Sequence, residues 1–195
     1  MRNRIGRLLV SVACACGIAI GAVIAHAQEK TMTPLPAGVP PAEGIRMLEI
    51  GDAAPDFSIR DPEGVPFHFA EAKGKRPVLL VFWSIFCEPC RFEMPVIQKV
   101  YNRHKDSELE IVAIALDGEP LKGSILGFVR QEGYTFKVLV DELDAKEAFK
   151  AADPYGVAGT PTIYLVDRAG RIALARAGRL KEEELEKAVQ AVLKK

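Results

Sequence analysis

Residues 78–83 (VLLVFW) are apolar without interruption, the pattern of a strand covered on both faces, and are expected at the centre of a sheet. Ahead of them, residues 57–60 and 65–69 flank Asp61-Pro62-Glu63-Gly64, a turn-forming tetrapeptide, and predict a short hairpin before the main sheet. Beyond them, Met94, Ile97, Val100 and Tyr101 recur at helical spacing as far as His104, and residues 111–116 are again strand-like. Strand, helix, strand in that order implies a right-handed parallel crossover. Pro95 falls inside the helix, where it removes a hydrogen bond and is expected to kink it. Ile125, Phe128 and Val129 predict a second helix stopped near Gly133, followed by a short strand over 136–140 and a helix around 145–151. Residues 162–166 and 171–175 flank Asp167-Arg168-Ala169-Gly170 and read as an antiparallel hairpin. A closing amphipathic helix over 181–193 carries Leu185, Val189 and Val192 on one side. The alternation describes an α/β sandwich.

Composition changes the picture mainly at the N-terminus. With 195 residues, 49% of them apolar and 27% charged, the chain has the make-up of a single folded domain, not of a disordered or collagen-like one. Basic and acidic residues balance at 26 each, without the excess of positive charge that binding to nucleic acid requires. Arg2, Arg4 and Arg7 precede an uncharged run over 8–25, which ends in Ala25-His26-Ala27, a small-residue pattern of the kind cut by signal peptidase. Residues 1–27 are therefore read as an export signal, whose removal takes away three arginines and no acid and leaves a net charge of −3. The alternatives are an uncleaved membrane anchor, for which the run is just long enough, and lipid attachment at Cys14 or Cys16. Residues 28–48, with Pro34, Pro36, Pro40 and Pro41 and few large apolar groups, read as a tether, leaving 49–195 as the folded domain.

The segmentation turns a cysteine count into chemistry. Four cysteines become two once the signal is removed, and Cys87 and Cys90, spaced C-x-x-C in an oxidising compartment, can close on each other or on a partner. Cys87 falls just past the central strand at the first turn of the next helix, where free N–H groups and the helix dipole favour a thiolate, so it is the expected nucleophile. Cys90, one helical turn on and less exposed, is the expected resolving thiol. Glu88 and Pro89 between them tune the pair, the glutamate working against the thiolate. Glu93 lies one turn beyond Cys90, where a carboxylate could accept its proton if partly buried; otherwise it is an ordinary solvated helix residue. A zinc knuckle would need two more ligands, and His104 and His68 do not supply them at a suitable spacing, so no metal is expected. Gly159-Thr160-Pro161-Thr162 places a proline directly before a buried run, which suggests a turn or an edge.

Together, W-S-I-F-C-E-P-C-R-F-E-M-P over 83–95 and Y-G-V-A-G-T-P-T over 155–162 resemble the thioredoxin superfamily, and more closely the TlpA/ResA-like thiol-disulfide oxidoreductases. The likeness extends to Gly51-Asp52-Ala53-Ala54-Pro55-Asp56-Phe57, an opening shared with peroxiredoxins. It implies a thioredoxin-like three-layer sandwich with an N-terminal β-hairpin and a helix-strand insertion, the latter fitting the long interval between Cys90 and Pro161. It also implies Cys87, Cys90 and Glu93 as the catalytic set, Pro161 as a cis-proline facing the cysteines, and Trp83, Glu88, Pro89, Thr160 and Pro161 as the substrate-contacting residues. The redox group would be the Cys87, Cys90 pair itself, with no other cofactor. Partners would be disulfide-bearing proteins outside the cytoplasm, apocytochrome c among them, with a membrane thiol carrier as electron donor. Thioredoxin's buried aspartate is replaced here by Val81. Two rival readings stand beside this one. A thiol peroxidase of the peroxiredoxin kind would keep Ser84 three residues before the cysteine but has Leu80 where it needs proline. A non-catalytic binding module would use the four-residue loop as a clip, which constrains the unfolded chain only weakly.

Overall fold

The computed structural model describes residues 46–194, so the segment read as an export signal, the first two cysteines and nearly all of the stretch read as a tether lie outside the described residues. Ten regular elements follow in chain order: β1 (Ser58–Arg60), β2 (Pro66–His68), β3 (Val78–Trp83), α1 (Glu88–His104), β4 (Glu110–Ala115), α2 (Lys122–Glu132), β5 (Lys137–Val140), β6 (Thr162–Val166), β7 (Ile172–Ala177) and α3 (Glu182–Leu193). The main sheet has the order β5-β4-β3-β6-β7, with β3 in the middle, and β1 pairs with β2 as a separate antiparallel hairpin. Strand β4 runs parallel to β3 and to β5, as crossovers through α1 and α2 require, while β6 and β7 run antiparallel.

Alternation along the strands divides the interior in two. Leu79, Val81 and Trp83 of β3 face α1, α2 and α3 through Met94, Ile97, Val100, Ile125, Leu185, Val189 and Val192. Val78, Leu80 and Phe82 face the opposite way. All six are at most 1% exposed, as an uninterrupted apolar strand demands. The architecture is the thioredoxin-like three-layer sandwich, with α2 and β5 as the helix and strand between β4 and β6. Its layer opposite the helices is built from the β1, β2 hairpin and an irregular segment over 141–157, which contribute Phe57, Ile59, Phe69, Ala151, Ala152 and Tyr155 to an aromatic-rich second core.

The helix expected around 145–151 does not form. Side-chain carboxylates intercept the amides that a helix would use. Asp144 Oδ1 accepts from Lys146 N and Ala148 N at 2.7 and 3.0 Å, Asp141 accepts from Ala151 N and Ala152 N at 3.0 and 2.8 Å, and Glu147 takes a left-handed backbone with φ 62°. The segment is instead drawn into a narrow loop closed by a Leu143, Phe149 bridge.

Arg46 to Leu48, the end of the stretch read as a tether, lie against this layer. Leu48 N donates to Tyr164 Oη at 3.2 Å, and the backbone passes so close to Gly156 that a Cβ there would sit 1.9 Å from Arg46 O. With φ +64° at the same residue, glycine is required both for conformation and for space.

Candidate active site

Strand β3 ends at Trp83, and residues 84–87 carry the chain over to α1. Cys87 is the N-cap of α1, in extended conformation, and its Sγ accepts from Cys90 N at 3.1 Å. Pro89 occupies the first turn, where its missing N–H costs nothing, and Glu88 beside it suits the positive end of the helix dipole. Cys87 and Cys90 are joined as a disulfide, with Cα atoms 5.2 Å apart. The two sulfurs differ in surroundings: Cys87 is only partly buried, whereas Cys90 is 1% exposed and packed in the helix-side core. Helix α1 runs on through Pro95 to His104 as one element. His104 and His68 serve local packing, His104 Nε2 meeting Glu186 on α3 at 2.8 Å and His68 Nδ1 meeting Ser58 Oγ at 2.9 Å.

The 84–87 crossing is staked from β4 by a residue that the sequence reading did not single out. Asp117, two residues past β4, accepts from Ser84 Oγ at 2.7 Å and from Ile85 N at 3.1 Å. Ser84 passes the restraint on: its Oγ accepts from Phe86 N at 3.1 Å and its carbonyl from Cys87 N at 3.2 Å. An aspartate in Leu116-Asp117-Gly118-Glu119-Pro120 looks like any loop residue. The only signal pointing to it is that parallel pairing of β3 and β4 brings their C-terminal ends side by side.

Glu93 is wholly buried, which disposes of the solvated-residue reading. Its Oε2 accepts from Leu180 N at 3.2 Å and lies 3.8 Å from Arg179 Nε, while Oε1 is buried with no hydrogen-bond partner. Burial pushes its pKa above the ordinary carboxylate value, and the Leu180 N–H and the Arg179 charge hold it back in part. A group so placed, one turn from Cys90, is suited to exchanging a proton with a buried thiol.

The Thr160, Pro161 peptide bond is cis. Register places it at the site: Phe82 pairs with Thr162, so Pro161 comes level with the end of β3 from which the 84–87 crossing departs. Pro161 O accepts from Gly178 N at 2.7 Å, and Thr160 is partly exposed. Glu88 and Pro89 are exposed beside the disulfide. Among the expected substrate contacts, Pro161 and Trp83 are both buried, and Trp83 lies within the helix-side core. At 1% exposure, with its ring 5.9 Å from that of Phe128 on α2, it belongs to the core and out of reach of a docking polypeptide. Its place on β3 points it at the helices, a consequence of strand parity that the motif alone does not carry.

Residues 50–175 match the AhpC/TSA family. The thiol-disulfide oxidoreductase ResA of Bacillus thuringiensis (strain Al Hakam) is 35% identical over 139 residues, covering 71% of this chain and 76% of that protein. This chain belongs to the AhpC/TSA family, among its ResA-like members. It is a thiol-disulfide oxidoreductase. Other ResA proteins agree, that of Geobacillus kaustophilus at 32% identity over 145 residues. Among solved structures, a Chlorobium tepidum protein provisionally assigned as thiol:disulfide interchange protein DsbE is 32% identical with a TM-score of 0.64, covering 75% of this chain and 99% of the other. The thioredoxin domain of a Bacteroides vulgatus thiol-disulfide oxidoreductase follows at 27% identity and a TM-score of 0.62, covering 75% and 99%.

Proposed function

We propose that this ResA-like oxidoreductase is exported and reduces disulfides in other exported proteins, with the Cys87, Cys90 pair as its only redox group. The observation that carries the division of labour is the unequal access to the two sulfurs, one partly open at a helix N-terminus and the other buried one turn below. In the reduced enzyme, Cys87 loses its proton to solvent, aided by the N-terminal amides of α1, and its thiolate attacks the partner's disulfide. A mixed disulfide forms and one partner thiolate leaves. Glu93 then accepts the proton of Cys90, and the new thiolate attacks Cys87 Sγ and breaks the mixed disulfide. The second partner thiolate leaves and takes up the proton held by Glu93. Two electrons pass to the partner, and the enzyme is left as the Cys87–Cys90 disulfide. A thiol carrier in the membrane must return the electrons.

Partly exposed Thr160 and buried Pro161, immediately before β6, and the exposed Glu88 and Pro89 frame the surface that the partner chain meets. Apocytochrome c, whose haem-attachment cysteines must be free, is the substrate that the ResA likeness supports. The basic start and uncharged run over 1–27 support export. A peroxidase reading gains nothing from Ser84, whose hydroxyl proton goes to Asp117, nor from Leu80, buried in β3.

The test is trapping. Cys90→Ser accumulates a mixed disulfide with an oxidised protein substrate, while Cys87→Ser loses exchange by orders of magnitude and traps nothing; the reverse pattern would overturn the assignment. For the wild-type enzyme, equilibration with glutathione gives the direction, a reductant having the more negative potential.

A further inference from the structure

Both contacts to the Glu93 carboxylate fall on the same oxygen. Leu180 N donates to Oε2 at 3.2 Å and Arg179 Nε stands 3.8 Å from Oε2, whereas Oε1 is buried and unpartnered. Arg179 is held from its other side by a ring: its guanidinium lies 5.3 Å from the centroid of Phe92, a side chain on α1 that is 57% exposed. Arg179 is itself half exposed and pairs with no other acid among the described residues. Three of the four acids of the neighbouring helix are otherwise engaged, and the fourth, Glu183, forms no ion pair among the described residues. Glu182 meets Lys99 and Arg103, Glu186 meets Arg103 and His104, and Glu184 meets Arg176. From α1, the group one turn before Glu93 is Cys90; from the β7 to α3 connection, the groups facing it are the Leu180 amide and Arg179. Arg179 is thus the one cation within ion-pair distance of a carboxylate whose ionised form burial disfavours.

We propose that Arg179 is the positioning residue of this site: seated between Phe92 and Glu93, it anchors Oε2 together with the Leu180 amide, favours the ionised carboxylate, and so reserves Oε1 as the acceptor of the Cys90 proton. The inference rests on the reading of Glu93 as proton acceptor and deepens it. An acceptor must be ionised before it can act, and a buried one needs a compensating charge to stay so near neutral pH. A half-exposed guanidinium gives that support without a full desolvation cost of its own, because its outer edge stays in water and one face rests on the ring.

The experiment measures two steps separately in the full chain over a range of pH: release of a preformed mixed disulfide, which needs Cys90 as thiolate, and alkylation of Cys87 in a Cys90→Ser background. Arg179→Gln should move the acid limb of the release profile to higher pH and slow release roughly tenfold at its acid end, with Cys87 alkylation unchanged. Arg179→Lys should restore much of the profile, and Phe92→Leu, which removes the ring beneath the guanidinium, should shift the limb in the same direction by less. Arg179→Gln combined with Glu93→Gln should match Glu93→Gln alone. A release profile of Arg179→Gln that coincides with wild type while Glu93→Gln alters it overturns the role of Arg179 and spares that of Glu93. A Glu93→Gln profile identical to wild type removes both. An equal slowing of Cys87 alkylation by Arg179→Gln would show a structural effect and also overturn the proposal.

Discussion

Glu93 carries a carboxyl group into a fully buried position with a single backbone donor and one distant cation. Burial, opposed by the Leu180 N–H and by Arg179, leaves its pKa raised. A carboxyl group that is harder to ionise in the folded state keeps its proton to higher pH there than in the unfolded chain, so protonated Glu93 favours folding. That stability is present in acid and is lost as pH rises from the ordinary carboxylate range through the raised value. Glu93→Gln removes the loss. The unfolding free energy of the variant, measured by denaturant titration relative to wild type, should therefore climb across that interval and level off above it; a difference that falls with rising pH would contradict the buried, reluctant acid. Asp141 is also raised, chiefly by burial, but it titrates in both proteins and cancels from the comparison. The spacing from Cys90 points to Glu93, yet spacing alone leaves a reactive acid and a solvated one equally open. What separates them is the chain from β7 into α3, which closes over the carboxylate from 87 residues away.

At the scale of elements, the C-terminal end of β4 governs how the nucleophile is presented. Asp117 takes two hydrogen bonds from the crossing between β3 and α1, and both donors lose their acceptor in Asp117→Ala. Losing hydrogen bonds to a charged, partly buried acceptor should cost about 1–3 kcal/mol in unfolding free energy. Exchange activity should fall as well, since the start of the 84–87 crossing then loses its tie to the end of β4; full stability and activity would show that Asp117 merely occupies the surface. Strand β3 and the helices that cover it were legible because their patterns are long and of one period. The 141–157 segment was not, because Ala145 to Ala152 has good intrinsic helix formers, and the carboxylates of Asp141, Asp144 and Asp153 tip it into a loop. A side chain that competes for backbone amides leaves no periodicity to read. Trp83 shows a related blind spot: a position four residues before Cys87 looks like part of the reactive surface until strand parity assigns it a face.

For the molecule as a whole, the three helices lie on one side of the sheet, and the hairpin with the irregular segment closes the other. The sulfur pair stands at one end of this sandwich, where β3, β4 and the start of β6 bring Cys87, Asp117 and Pro161 to the same edge. Export belongs to this scale too. If residues 1–27 are removed, mass spectrometry of the protein recovered from outside the cytoplasm will give a chain beginning at Gln28, whereas a chain beginning at Met1 would identify an anchor. Trp83 is the only indole in the sequence, and it shares the helix-side cluster with Cys90. The enzyme therefore has a built-in optical gauge: light emitted from one known place, free of any background from a second fluorophore of its type, registers changes in the sulfur atoms nearby without a dye or a label.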